Sequence, residues 1–210
     1  MERKTTLIIK AGQWPDESDK FAEKVQTGGI IIFPTETVYG IGAMPEQTGV
    51  EKLTELKARP QTKPLQLLIS DREMLEKFGA KISPLANKIM DKLWPGPLTL
   101  VLDVEGAEIP DAIGKFGNIG FRMPDHPVCL DMIRRCGGAI AASSANPSNQ
   151  QPTRSCSEAL RMFPGRIDAA IDAGTLPEAL ASTVASVRNG NIIIIRKGAV
   201  NADRLIELKG

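Results

Sequence analysis

Three short clusters in this chain combine residue types able to bind or activate a small molecule. The first is Pro34-Thr35-Glu36-Thr37-Val38-Tyr39-Gly40-Ile41-Gly42. Pro34 restricts one φ angle and Gly40 and Gly42 permit unusual ones, so two hydroxyls, a carboxylate and a phenol are held together. The second is Lys57-Ala58-Arg59-Pro60 with Lys63-Pro64, three cations over seven residues. Pro60 disfavours helix at Arg59. Arginine supplies a two-pronged fork and lysine a point charge, which suits a polyphosphate, but cations also cap helix C-termini. The third is Ser143-Ser144-Ala145-Asn146-Pro147-Ser148, whose hydroxyls, amide and backbone N–H groups suit sugar or phosphate oxygens. The other reading is an Asx or Ser turn stopped by Pro147, a common arrangement. Arg122 at a strand end is a natural carboxylate anchor or a surface charge. Ser182-Thr183 and Arg196 flank a terminal hairpin, as site residues or as a strand cap and an edge charge.

Positioning these clusters requires alternating strands and helices. Thr5 to Lys10 reads as an opening strand and Asp16 to Gln26 as a helix ended by Gly28-Gly29. Gly29 to Phe33 reads as a buried strand, followed by the glycine loop as far as Gly42 and a helical pattern from about Glu46 to Lys57. A strand, a hydroxyl-rich loop and a helix build small-molecule sites at strand ends, although a plain strand-to-helix turn has the same pattern. Leu65 to Ile69, Leu98 to Leu102, Asn118 to Arg122 and Ala139 to Ala142 are further strands. Arg72 to Phe78, Pro84 to Leu93 and a segment beginning near His126 are helices. Asn189-Gly190 between Val184 to Arg188 and Ile192 to Arg196 marks a hairpin, and a helix near Ala202 to Leu208 follows. The sum is α/β, a single domain with a twisted open mixed sheet. The irregular stretches are Glu105 to Gly117, Asn146 to Ser155 and Ala173 to Thr183.

Composition narrows the classes. The chain has 210 residues, 42% apolar, which supplies a proper core. Lys plus Arg total 26 against 25 for Asp plus Glu, so no global charge points to nucleic acid, and 4% aromatic content is thin for base stacking. The three cysteines, Cys129, Cys136 and Cys156, form no CxxC pair and His126 is the single histidine, which disfavours a zinc site or disulfide framework. The start from Met1 to Thr6 has no signal-peptide core and no apolar run approaches a membrane span, so a cytoplasmic protein with no membrane partner is expected. The P-loop, Rossmann and nucleophile-elbow motifs are missing.

Taken in order, PTETVYGIG, KARP with KP, LWPGPLTLVL, FRMPDHP, SSANPS, STV and IIRKG resemble YrdC-like proteins over about residues 5–200. The family's paired KxR and SxN are matched by Lys57 with Arg59 and by Ser144 with Asn146. The resemblance implies one YrdC-like domain over 1–210, of the short form, around a concave basic cavity. It implies threonylcarbamoyl-AMP synthase activity: L-threonine, bicarbonate and ATP give threonylcarbamoyl-AMP and pyrophosphate, for threonylcarbamoyladenosine in tRNA. In that light Arg59, Lys63, Ser144, Asn146, Thr153 and Arg196 would hold ATP, with Lys57 offsetting charge on the leaving pyrophosphate. Arg122 would take the threonine carboxylate, with Thr35, Ser182, Leu68 and Ala142 around the rest of the amino acid. Mg²⁺ is expected with ATP, without a protein cage. Downstream tRNA threonylcarbamoyl-transferase proteins are the implied partners. The same resemblance also admits a non-catalytic double-stranded RNA-binding or ribosome maturation factor, or an enzyme acting on another carbamoyl substrate. Asn149 stands where a glycine often follows in the family, and Leu68 where a more polar strand is common.

Overall fold

In the computed structural model, residues 5–60, 62–114 and 116–209 are described. Met1 to Lys4, part of the start read above, lie outside them. Ten strands form one mixed sheet: β1 Leu7–Lys10, β2 Ile31–Phe33, β3 Gly40–Ala43, β4 Gln66–Ile69, β5 Leu98–Asp103, β6 Asn118–Arg122, β7 Ala139–Ser144, β8 Ala169–Asp172, β9 Thr183–Arg188 and β10 Asn191–Arg196. The helices are α1 Trp14–Gln26, α2 Gln47–Leu56, α3 Glu73–Lys77, α4 Pro84–Leu93, α5 Asp111–Gly114, α6 Pro127–Arg135, α7 Cys156–Met162 and α8 Ala202–Glu207. No described helix is long and apolar enough to cross a membrane.

The spatial order is β1-β8-β2-β3-β7-β4-β6-β5-β9-β10. Pairs β1–β8, β2–β8, β4–β6 and β5–β9 are parallel. The neighbours of β7, and the hairpins β2–β3, β5–β6 and β9–β10, are antiparallel. The mixed α/β sheet expected from the sequence is therefore present. The Asn189-Gly190 turn also forms, both residues at positive φ as a type I′ turn needs.

One segment differs from its reading. Gly40 to Gly42 is a strand rather than the end of a loop, and neither glycine has positive φ. Packing explains them: a Cβ at Gly40 would come 2.5 Å from the Phe33 ring, and one at Gly42 2.7 Å from an Ile140 methyl. Three further elements differ: α5 lies within the stretch from Glu105 to Gly117 that reads as irregular, and α7 and β8 fill a stretch to which the sequence patterns assign nothing.

Strand residues alternate between two cores, which is why the strands read as continuous apolar runs. Ile30, Ile32, Ala139 and Ala141 pack with α2, α4 and α7 on one face. Ile31, Phe33, Ile140 and Ala142 pack with α1 and α6 on the other. That second layer contains residues of β1, β8, β2, β7 and only Leu68 of β4, with none from β6, β5, β9 or β10. Half of one sheet face is left without a helix, and the site lies there.

Candidate active site

The bare half-face is the floor of a cavity of about 630 Å³. Gln66 and Leu68 on β4, Gly120 and Arg122 on β6, and Thr99 and Val101 on β5 reach it by strand alternation. A bulge does the same for β10: the register steps from Ile194 to Arg196, placing Arg196 opposite Val184. Without the extra residue Ile195 would take that place; bulges re-aim side chains in this way. Among the described residues the cations in the lining are Arg59, Lys63, Arg122 and Arg196, and none of the lining residues is a carboxylate. Burial and then the neighbouring Arg196 lower the pKa of Arg59 from its ordinary value, and burial and then Arg122 do the same for Arg196. Like charges crowded into a partly dry hollow favour an anionic occupant.

The KxR cluster owes its shape to the end of α2. Arg59 N–H donates to Thr54 O and Ala58 N–H to Glu55 O, with Ala58 at φ 45°, which is a Schellman close. The turn sends successive charged side chains in different directions. Lys57 is 2% exposed and its ammonium donates to the carbonyls of Ser144 and Asn146, both at 2.5 Å. Its own carbonyl accepts from Ser148 N and Oγ. Arg59 reaches the cavity, held by Lys63 O (2.6 Å), Pro64 O (2.8 Å) and Ser143 Oγ (3.1 Å). The two sequence clusters are thus tied together, with Lys57 inside the wall and Arg59 on its surface. Lys63 lies on the cavity with its Nζ on Asn149 Oδ1 at 2.9 Å. Asn149 has φ 68°, a left-handed conformation that glycine and asparagine adopt more readily than other residues.

The Pro34 loop braces the other end. Arg122 is 4% exposed; it donates to Thr37 Oγ1 (3.1 Å) and Gly96 O (3.3 Å). Thr37 Oγ1 in turn meets Thr35 Oγ1 at 2.9 Å, and Thr35 Oγ1 donates to Val38 O. Glu36 Oε1 lies 2.7 Å from Arg122 Nη2, yet neither Glu36 oxygen has a donor in hydrogen-bonding alignment. We read this as a charge contact with poor angles rather than a bonded pair. Tyr39 is core: its hydroxyl donates to Gly174 O and accepts from Ala173 N. His126 caps α6, its Nδ1 accepting from Cys129 N, and burial lowers its pKa.

Of the residues singled out from sequence, Thr35, Arg59, Lys63, Leu68, Arg122, Ala142, Ser144, Ser182 and Arg196 line this cavity. Lys57, Asn146 and Thr153 do not. Asn146 is buried, its Nδ2 donating to Pro147 O and Gln150 O, and its Oδ1 without a donor. Thr153 donates to Glu158. Gln66, Thr99 and Gly120 are cavity residues that sequence reasoning missed; the available signal was a polar side chain at inward positions of otherwise apolar strands. Among the described residues no cluster of three or more His, Cys, Asp or Glu could hold a metal.

Comparison with known proteins fits this geometry. The Sua5/YciO/YrdC family, described as telomere recombination, matches residues 23–198. A threonylcarbamoyl-AMP synthase of Bacillus subtilis is 35% identical over 178 residues, covering 84% of this chain and 51% of that protein. A putative threonylcarbamoyl-AMP synthase of Methanocaldococcus jannaschii is 32% identical over 94% of this chain and 96% of its own. The crystal structure of Pyrococcus abyssi Sua5 complexed with L-threonine superposes with a TM-score of 0.89 at 30% identity, over 97% of this chain and 60% of that one. The chain spans about half the length of the Bacillus subtilis and Pyrococcus abyssi relatives. The matched region includes all three motif clusters, both halves of the cavity and most of the sheet, and on that extent the chain belongs to the Sua5/YciO/YrdC family.

Proposed function

We propose that this chain is a threonylcarbamoyl-AMP synthase, a nucleotidyltransferase joining L-threonine, bicarbonate and ATP and releasing pyrophosphate. The carrying observation is the cavity: Arg59, Lys63 and Arg196 with serine hydroxyls, Arg122 held separately on the floor, and no carboxylate in the lining. The relatives named for this activity, and the Sua5 that binds L-threonine, support the reading.

In this reading Arg59, Lys63 and Arg196 grip the triphosphate with Ser144, and Arg122 forks the threonine carboxylate beside Thr35, Leu68, Ala142 and Ser182. The threonine amine forms an N–C bond to bicarbonate with loss of water. A carbamate oxygen then attacks the α-phosphorus and pyrophosphate leaves. The substrate supplies the nucleophile, so positioning and cationic stabilisation carry the rate. Lys57 and Asn146 act from behind the wall by fixing the Ser144 loop, and Thr153 fixes the loop that follows. The lining offers no carboxylate for Mg²⁺, so the ion would come on ATP oxygens and water. Residues 5–200 would act as one unit, and the product would serve threonylcarbamoylation of tRNA adenosine by partner transferase proteins.

The test is pyrophosphate release by the purified chain. Release that requires ATP, threonine and bicarbonate together is expected. No release, or release indifferent to threonine and bicarbonate, would overturn the proposal.

A further inference from the structure

Four side chains cross the cavity floor in one hydrogen-bonded line. Arg196 Nη2 donates to Ser182 Oγ at 3.0 Å, Ser182 Oγ lies 3.1 Å from Thr99 Oγ1, and Thr99 Oγ1 donates to Gln66 Oε1 at 2.8 Å. The direction of every proton follows. The one hydroxyl hydrogen of Thr99 goes to Gln66, so Ser182 must donate to Thr99. Each bond points from the Arg196 charge towards the Gln66 amide, and such chains polarise their members. The Gln66 oxygen is occupied, and its NH₂ has no acceptor among the described residues.

Gly120 makes this line possible. It lies on β6, between β4 and β5. A Cβ there would come 3.1 Å from Thr99 Cγ2 and 3.8 Å from Gln66 Cβ. With hydrogen instead, Thr99 reaches across an intervening strand to Gln66, and the floor is open above the glycine. Gln66 pairs with Gly120 and Leu68 with Arg122. That register puts the Gln66 and Arg122 Cα atoms roughly 8 Å apart on one face.

We propose that the Gln66 amide, aimed and polarised by the Thr99–Ser182–Arg196 line, binds the one-carbon oxyanion, as bicarbonate and then as the carbamate formed from it. This rests on the synthase reading above. The missing side chain at Gly120 leaves room for a small group directly over β6, beside Gln66. The occupant must present an acceptor to engage the Gln66 NH₂, because the Gln66 oxygen already accepts from Thr99 while the N–H groups have no acceptor among the described residues. Arg122 at roughly that spacing would hold the amino acid by its carboxylate, leaving the amine directed at the same oxyanion. Gln66 is then a binding residue and Thr99 a positioning residue.

The experiment measures steady-state pyrophosphate release against bicarbonate, with threonine affinity measured by calorimetry in bicarbonate-depleted buffer. Gln66→Leu is expected to raise the KM for bicarbonate by about tenfold to a hundredfold, the range for a lost hydrogen bond to a charged group, with threonine affinity within about twofold. Thr99→Val is expected to raise the same KM by a smaller factor, and Thr99→Ser to restore it. Unchanged bicarbonate KM in Gln66→Leu, or a rise confined to threonine, overturns the proposal while the synthase reading stands. A wild-type chain with no threonine- and bicarbonate-dependent release overturns both.

Discussion

Lys57 spends a buried charge on two backbone carbonyls instead of on a ligand. Burial first, and then Arg59, push its pKa from 10.5 down to about 7. Between those values the unfolded chain keeps a proton that the folded chain has released. This contribution to unfolding free energy therefore increases as pH rises from about 7 towards 10.5, and is flat below 7. The neutral amine still has two N–H groups for the two carbonyls. Lys57→Met keeps the stem but orphans both acceptors, costing about 1–3 kcal/mol for each. Denaturant melts should show the variant less stable, with the gap to wild type widening from pH 7 to pH 9. A gap that is constant with pH would refute the buried titration. Arg59 carries the opposite role, on the surface of the hollow. Arg59→Ala should lower turnover by about 10²-fold or more, the scale of a lost transition-state donor, with the thermal midpoint nearly unchanged. Equal pyrophosphate release by the folded variant would remove Arg59 from the phosphate grip.

The C-terminal turn of α2 separates those two roles, and it uses Ala58 where glycine is the usual choice. Ala58→Gly relieves a left-handed alanine worth about 1–2 kcal/mol, less the greater flexibility glycine gives the unfolded chain. The expected net effect is stabilisation by up to about 1 kcal/mol in chemical denaturation, without change in activity; a destabilised variant would contradict the Schellman assignment. Such strain is invisible in K-A-R-P as letters, although Pro60 did announce the turn. Elements with strong periodicity or turn chemistry were legible: the Asn189-Gly190 hairpin, the α6 start at His126 and the strands around Leu67 and Leu100. β3 was not, because glycines that serve close packing against Phe33 and Ile140 look the same as glycines that serve a loop. β8 was not, because Ala169-Ala170-Ile171-Asp172 is buried on both faces and lacks alternation. α7 carried a readable signal, Ser155 three residues before Glu158, and Ser155 does cap it. Gln66 and Thr99 needed the sheet order, since no spacing in the chain reveals that a glycine strand lies between them.

At the scale of the molecule the motif clusters are distant in sequence and meet only because β3 and β4 both pair with β7. Binding at their junction should therefore stabilise the whole fold. L-threonine at 100 times its Kd contributes about 2.7 kcal/mol, read as a rise in thermal midpoint. Arg122→Ala should abolish the rise with threonine and keep the rise with ATP. A variant that still responds to threonine would displace Arg122 as the carboxylate anchor. The strand order has a kinetic corollary too. β1 and β2 both pair with β8, β3 and β4 with β7, and β5 with β9. During synthesis each early strand must wait, one edge bare, for a partner translated many dozens of residues later. Loop closure of that reach is slow. The two halves of the sheet can accordingly be joined only after β7 and β8 have been made, and refolding of the chain is expected to be slow for its size.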